Sequence, residues 1–544
     1  MAAPMSWRRL INSVYTPALA GVLTRMSDKI FRSRDRRRGS SVLLLAPLLA
    51  EADPVPAVAE PQAPRPTGVG GLPRHFRWIA NQVPAFRVSG RQIRVLHSPD
   101  EFYQVLKTHI KTARSRVVMA SLYLGTGPLE QQLVDCIEEA LENAKNEDLS
   151  SDLKVSFLLD YLRAGKKNSR TMLLPLLRRF PGQLRVSLYH TPDLRGLLRI
   201  LVPERFNETI GVQHIKVYLC DDDLIISGAN LSDSYFTNRQ DRYVLLQGCG
   251  EVADFFADLV GAVGDTSLQL EPDDTVSMEE DMVHPYKDDR AQFSASAQQR
   301  IMEVVNVARA QQCLKGSEMM PTTDSDAEDS GPAQGDTWVF PLVQMKPLGI
   351  QLDEAVTKRL LTEAGGDSRI YLTSGYFNLT RAYMDLVLGT STDYHILLAS
   401  PEVNGFFGAK GVAGAIPAAY IHIARQFYNK VCHLGQQQRI RLHEYHRSNW
   451  TFHAKGLWYY LRGSDRPCLT LIGSPNFGYR SVHRDLEAQI AIVTENQELQ
   501  SQLQQEQEML YHCSTEVSTS TFQQPNRYVK LWVKLVTPLI KNFF

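Results

Sequence analysis

His214 and Lys216 stand at i and i+2 in the stretch GVQHIKVYLCDDDLIISGANLSDSYFTNRQDRY, with Asp221, Gly228 and Asn230 following. A neutral imidazole can attack an electrophile or carry a proton, and an ammonium with an amide can hold phosphate oxygens. These residue types together suit phosphoryl chemistry. A lone His-x-Lys is commonly a core histidine beside a surface lysine. Here the device recurs: FHAKGLWYYLRGSDRPCLTLIGSPN brings His453, Lys455, Gly473, Ser474 and Asn476, and Asp241 follows Asn230 at the interval at which Glu487 follows Asn476. Two imidazoles on opposite sides of one phosphorus could divide the labour, one attacking and one moving the proton. Lys216, Lys455, Asn230 and Asn476 would stabilise the non-bridging oxygens, with Gly228 allowing close approach and Ser474 beside them. No metal or other cofactor is required by such a scheme; an effect of divalent cations stays open.

The elements that must position these groups are hairpins. HIKVYLC alternates as a strand does, placing His214 and Lys216 on one face. Asp221 to Asp223 favour a turn and LIISGAN a returning strand, so Asn230 folds back beside His214. A turn at Gly463 to Asp465 does the same for Asn476 and His453. Ahead of each hairpin come three strand-like runs, at 117–123, 153–160 and 184–190 and again at 370–377, 394–400 and 440–446, with helical patterns between. This predicts an α/β chain of two similar domains, mostly parallel sheets flanked by helices, related by a pseudo-twofold that brings both hairpins to one cleft.

The paired stretches resemble the His-Lys-Asp motifs of the phospholipase D superfamily, over roughly residues 91–494 without the middle insert. The resemblance implies covalent histidine catalysis, with His214 as nucleophile and His453 as general acid/base. Asp221 completes the first motif, but Tyr460 stands at the matching position of the second. Something else must then orient His453, with Asp241 and Glu487 as candidates. Further resemblance, to mitochondrial phosphatidyltransferases, implies CDP-diacylglycerol as donor and glycerol 3-phosphate as acceptor, on the matrix side of the inner membrane. A phospholipase or cardiolipin-synthase-like transferase is the alternative within the superfamily, and a non-catalytic membrane scaffold the alternative outside it.

Charge and composition set the remaining bounds. Lys+Arg and Asp+Glu are both 59 of 544 residues. Any attraction for anions is therefore local, and no basic stripe with interleaved aromatics proposes a nucleic acid. Seven scattered cysteines argue for a reducing compartment without disulfides or a zinc site. No apolar run reaches the ~18 residues of a spanning helix. Residues 1–50, with nine Arg/Lys and two acids, read as a mitochondrial transit-like segment. Residues 51–90 read as a Pro-rich linker, 91–263 and 337–494 as the two domains, 264–336 as an acidic mobile insert carrying one helical segment, and 495–544 as a helical tail. In that tail ENQELQSQLQQEQEML reads as a surface helix. The last stretch, with Arg527, Lys530, Lys534 and Lys541 broadly on one face, suits either an anchor on an anionic membrane or a helix docked on the core. Oligomeric state is not legible.

Weaker motifs complete the reading. LGTGPLEQ lacks the Lys-Ser/Thr of a phosphate loop and reads as a strand-to-helix turn opened by Pro128. Arg163, Lys166, Lys167 and Arg170 could grip a phosphate after a strand end or form a solvated basic loop, and Arg480 and Arg484 pose the same choice.

Overall fold

The computed structural model describes residues 71–147, 152–164, 168–318, 335–366 and 368–543. The transit-like segment, the start of the Pro-rich linker, and Lys166 and Lys167 lie outside these residues. The described residues other than Gly408–Ile416 make one body.

Two sheets organise it. The first holds β2 (Ile93–Leu96), β3 (Arg116–Ala120), β4 (Lys154–Asp160), β5 (Leu184–Tyr189), β6 (Val217–Cys220), β7 (Asp223–Ser227), β9 (Tyr243–Leu246), β10 (Leu268–Leu270) and β11 (Val276–Ser277). The second holds β1 (Phe86–Val88), β12 (Thr337–Met345), β13 (Ile350–Gln351), β14 (Arg369–Ser374), β15 (Asp393–Ala399), β16 (Ile440–Tyr445), β18 (Lys455–Tyr460), β19 (Leu469–Gly473), β20 (Glu487–Thr494) and β21 (Ser514–Glu516). Two short strands, β8 (Arg239–Gln240) and β17 (Thr451–Phe452), pair only with each other.

The order β10-β5-β4-β3-β6-β7-β9-β2 repeats as β21-β16-β15-β14-β18-β19-β20-β12, so the internal repeat extends to the sheet topology. The sheets are not mostly parallel. Only β3–β4–β5 and β14–β15–β16 run parallel, and the other pairings within both sheets are antiparallel. The reason lies in the connections. A helical crossover is long enough to return a strand parallel, whereas the tight turns after β6 and β18 can only reverse the chain.

Each sheet buries its outer face under helices, as with Pro99–Thr112 and Pro128–Glu147 on the first. The inner faces meet in a shared core that includes Leu224 and Ile226 from one sheet and Trp458, Ile472 and Ile490 from the other.

Three segments depart from the boundaries read in the sequence. Phe76, Trp78 and Ile79 are buried and β1 pairs with β12, so part of the expected linker belongs to the second sheet. Within the expected mobile insert, β10 extends the first sheet and Arg290–Glu318 is one long helix burying Phe293, Ala297, Ile301 and Val305 in the shared core. The Gln/Glu-rich Gln497–His512 is not a surface helix. It buries Leu499, Leu503 and Leu510, and its Glu506 makes a bidentate pair with the buried Arg242, which lies 3.8 Å over the Trp458 ring. Composition misled there because a buried acid is tolerable once paired and hydrogen-bonded, and Trp458 Nε1 also donates to Glu506.

Candidate active site

His214 and Lys216 lie on the chain just ahead of β6, while His453 precedes β18 and Lys455 opens it, and each pair is tied to the opposite half. The His214 N–H donates to Leu486 O at 2.8 Å, and the Leu486 N–H returns to Val212 O at 2.9 Å. In the mirror arrangement the His453 N–H donates to Gln240 O at 2.8 Å, and the Thr451 N–H to Asn238 O at 2.9 Å. Each histidine thus lies beside the segment that carries the other half's late carboxylate. His214 Nδ1 is 2.9 Å from Glu487 Oε2, and His453 Nδ1 is 2.6 Å from Asp241 Oδ2. Of the two candidates for orienting His453, the structure selects Asp241. Glu487 serves His214.

The lysines complete the symmetry. Lys216 Nζ donates to His214 O at 2.7 Å, and Lys455 Nζ to His453 O at 2.6 Å, both ammonium groups being buried. Lys455 Nζ is also 2.7 Å from His453 Nδ1. That nitrogen can donate to Asp241 or accept from Lys455, not both. The Asp241 contact is the shorter and charge-assisted, so it fixes the proton on Nδ1 and leaves Nε2 with its lone pair. Gly228 admits this packing: a Cβ there would sit 2.6 Å from both Asp241 Oδ1 and Lys455 Nζ. Gly456 does likewise beside Arg242, at a φ of 120° that a side chain would resist.

Burial dominates the electrostatics. It pushes both imidazoles well below the ordinary histidine value, with the neighbouring Lys216 or Lys455 adding to the effect. Both rings are therefore neutral at rest. Burial also pushes Lys216 down to about 7, against the pull of Glu487. Asp241 and Glu487 are raised by burial and opposed by the same lysines. Lys216 and Lys455 thus face Asp241 and Glu487, and a phosphate beside them would add negative charge that favours the protonated lysines.

Asn230 and Asn476 both keep a buried Oδ1 with no hydrogen-bond partner, an uncommon state for a buried amide. Asn230 Nδ2 reaches Tyr235 OH at 3.1 Å, and that hydroxyl lies 3.5 Å from His453 Nε2.

One expected site residue is elsewhere. Asp221 occupies the far turn of the first hairpin in a left-handed conformation, φ 53°. Seven residues of extended chain separate it from His214, roughly 20 Å at strand rise. Its carboxylate accepts the N–H groups of Arg114, Ser115 and Arg116 and the Ser115 hydroxyl. Partial burial pushes its acidity one way, and those donors, prevailing, hold it below the usual carboxylate range. Asp221 pins the hairpin tip and is not a catalytic group. Tyr460, at the matching tip, is buried and donates to Gln507 Oε1 at 3.0 Å. Ser474 stays at the site: its hydroxyl donates to Ala488 O and accepts from Ala488 N–H, both at 3.1 Å, and its side chain also bonds Glu487, the partner of His214.

The basic side chains divide. Arg163 pairs with Glu208 and Arg170 with Asp274, away from the histidines. Arg484 donates to Thr209 O and covers the Phe543 ring at 4.2 Å. Arg480 belongs to the site, on Asp485 at 3.0 Å. Asp485 itself was not foreseen: it is buried, accepts the Val212 N–H at 3.0 Å, and favours the charged form of His214. His214, Asp485 and Glu487 are also the one group among the described residues whose donor atoms converge as metal ligands do, within 4.8 Å of one another. Arg480 already supplies a cation to that acid pair. Asp160 was missed too. At the end of β4 it receives the N–H groups of Leu162, Arg163 and Gln213, clamping the approach to His214, while burial pushes its carboxyl up to about 8. A carboxylate closing a strand before a basic loop was its only signal in the sequence. The LGTGPLEQ loop is the strand-to-helix turn expected, with Pro128 opening the helix.

Comparison with known proteins gives the fold and the family. No family model matches the chain. The crystal structure of phosphatidylserine synthase from Haemophilus influenzae superposes with a TM-score of 0.63 at 19% identity, covering 87% of this chain and 99% of that one, which shows a shared fold. The mitochondrial CDP-diacylglycerol–glycerol-3-phosphate 3-phosphatidyltransferase of Gallus gallus is 64% identical over 99% of this chain and 98% of its own. The human protein of the same name is 63% identical over 100% and 99%. A probable enzyme of that name from Dictyostelium discoideum is 38% identical over 86% and 80%. With identity this high across nearly the whole length, the chain belongs to the CDP-diacylglycerol–glycerol-3-phosphate 3-phosphatidyltransferase family.

Proposed function

We propose that the chain transfers the phosphatidyl group of CDP-diacylglycerol to sn-glycerol 3-phosphate, as its relatives are named for doing, by the covalent histidine chemistry of the phospholipase D superfamily. The observation that carries this is the pair of neutral, oppositely anchored imidazoles. His214 Nε2 attacks the lipid-bearing phosphorus, the bond from that phosphorus to the bridging oxygen breaks, and CMP leaves with both electrons of that bond. The departing oxygen lies on the His453 side. A hydroxyl of glycerol 3-phosphate then takes the vacated position and gives its proton to His453 Nε2. Its oxygen attacks phosphorus, the P–N bond breaks, His214 regains its lone pair, and His453 releases the proton to solvent to restore its neutral ring. Lys216, Lys455, Asn230 and Asn476 surround the phosphoryl oxygens, and the Lys216 ammonium is held in its charged form by the phosphate it binds. The residues above suffice for each step.

The membrane reading rests on the surface. Leu531, Leu535 and Leu539 form an exposed row on the helix Leu531–Ile540, flanked by Lys530 and Lys534, while Val533 and Thr537 dock it to the body. Arg527 is not on that face; it is buried between Glu402 and Glu444. A second exposed apolar set, Leu197, Ile200 and Leu201, lies on Gly196–Leu201 in the segment leading to His214, and Phe407 adds a third. No helix among the described residues is long and apolar enough to cross a membrane. We place the protein on an anionic bilayer with its cleft towards the lipid, at the matrix face of the mitochondrial inner membrane. Lipid product analysis with CDP-diacylglycerol tests the function. Phosphatidylglycerophosphate and CMP are expected only when glycerol 3-phosphate is present; phosphatidic acid formed equally with and without it would identify a phospholipase instead.

A further inference from the structure

The two histidines are alike in their anchoring and unlike in the cation beside them. Near His214 the guanidinium is Arg480, already paired with Asp485. Near His453 it is Arg239, on β8. Arg239 Nε donates to the Thr451 hydroxyl at 3.0 Å, and its guanidinium carbon lies 4.7 Å from the centre of the Tyr235 ring. Its Nη2 and Tyr376 OH converge on Gly405, where a Cβ would lie 2.8 Å from each. Tyr235 and Tyr376 in turn stand edge-on to the His453 ring, at 5.3 and 5.6 Å between centroids. Arg239 is therefore one aromatic ring away from His453. None of the ion pairs among the described residues includes it, and its immediate contacts are neutral.

A partly buried guanidinium without a carboxylate has lost hydration that neutral partners such as Thr451 and Tyr235 replace only in part. Its planar fork matches a phosphate monoester, which can accept two parallel N–H bonds. Gly405 keeps the approach open, since any side chain there would strike both Nη2 and Tyr376 OH.

We propose that Arg239, with Tyr235 and Tyr376, forms an anion subsite on the His453 side that holds the acceptor's own phosphate while its distant hydroxyl faces His453. This rests on the catalytic reading above, in which the acceptor enters on that side. The subsite makes the enzyme select a phosphorylated alcohol over a neutral one. No such selection is needed on the His214 side, where the phosphatidyl group stays covalently held and Arg480 is already compensated.

The test compares two acceptors with the full-length enzyme on CDP-diacylglycerol vesicles. The ratio of kcat/KM for glycerol 3-phosphate to that for glycerol should fall roughly 30-fold in Arg239→Gln, about the worth of a charged hydrogen bond. Arg239→Lys should recover most of the ratio, because it restores charge without restoring shape. A Gln variant that loses both acceptors by the same factor, or a Lys variant no better than Gln, would overturn the subsite. Exchange of labelled CMP into CDP-diacylglycerol by the unsubstituted enzyme reads the covalent step alone. Its absence would sink the phosphohistidine reading rather than the subsite, which the acceptor ratio measures independently.

Discussion

The His214 and His453 surroundings share a plan and differ in dressing. Both imidazoles receive a carboxylate from across the pseudo-twofold, both lysines bond back to their histidine's carbonyl, and both asparagines keep an unspent oxygen. Around His214 the additions are polar and charged: Asp485, Arg480, and Ser481, whose hydroxyl donates to Glu487 Oε1 at 2.6 Å. Around His453 they are aromatic, Tyr235 and Tyr376, with the Arg239 guanidinium behind them. The shared plan is what either histidine needs in order to act. On the proposed mechanism the difference suits His214 to act first: Asp485, though paired with Arg480, favours the charged form of His214, whereas Arg239, near His453, disfavours the charged form there.

The largest effects should come from the histidines themselves. His214→Ala is expected to lose at least about 10⁴-fold in kcat and to form no labelled phosphoenzyme, since nothing replaces the nucleophile. His453→Ala should lose roughly 10²- to 10⁴-fold in transfer yet still accumulate label from CDP-diacylglycerol, because CMP departs more readily than the acceptor is deprotonated. Acid-labile label trapped on His214→Ala but not on His453→Ala would exchange the roles assigned here.

The carboxylates sharpen the crossing. Glu487→Gln should impair formation of the phosphoenzyme and Asp241→Asn its consumption, each by roughly 10²- to 10⁴-fold, because an amide permits the wrong imidazole tautomer. Rapid-quench measurement separates the two steps. If Glu487→Gln slows only consumption, the pairing of each histidine with the opposite half's carboxylate does not carry the catalysis.

A pH profile distinguishes the resting charges. With Lys216 held near 7 by burial, kcat/KM should decline as pH rises through about 7, approaching tenfold per unit. The acid limb should lie below the ordinary histidine value, since burial keeps both imidazoles neutral. In Lys216→Arg the alkaline decline should move well upward, whatever activity remains.

The smallest effects belong to the hairpin tips. Asp221→Asn should leave kcat within about threefold while lowering thermal stability, because only local main-chain donors lose a charged acceptor. Tyr460→Phe should cost at most about 1 kcal/mol of stability, the worth of its bond to Gln507. A crippled Tyr460→Phe would give the phenol a role that its position excludes.

These tips show where reading a sequence succeeds and fails. The alternation in HIKVYLC and the turn after it made the β6–β7 hairpin legible, because strand periodicity and turn chemistry are local rules; the strand begins only at Val217, after His214 and Lys216, and Asn230 reaches through Tyr235 towards His453. The α/β repeat was legible for the same reason. Asp221 was misplaced because a motif of residue types says nothing of reach. The partner of each histidine was undetermined because equal spacing from Asn230 to Asp241 and from Asn476 to Glu487 suits pairing within a half as well as across. Arg239 had no signal at all: only the folded chain sets it among neutral aromatic neighbours. The interior course of Gln497–His512 was hidden by its polar composition, and Glu506 became intelligible only beside Arg242.

The crossing of the histidine segments onto the opposite half also has a kinetic meaning. His214 and Glu487 are far apart along the chain, as are Asp241 and His453, so neither pair can close until nearly the whole polypeptide has been made and both sheets have formed. Contacts of such long range are among the slowest to assemble. An emerging or half-folded chain would have its first histidine in place with no carboxylate to hold the tautomer. Reactivity would then appear abruptly at the last step of folding, and a chain truncated ahead of Glu487 would be silent rather than partly active. Acquisition of phosphoenzyme during refolding should trail the return of secondary structure and coincide with the burial of Trp458, read as the difference in fluorescence change between the unsubstituted chain and Trp458→Phe.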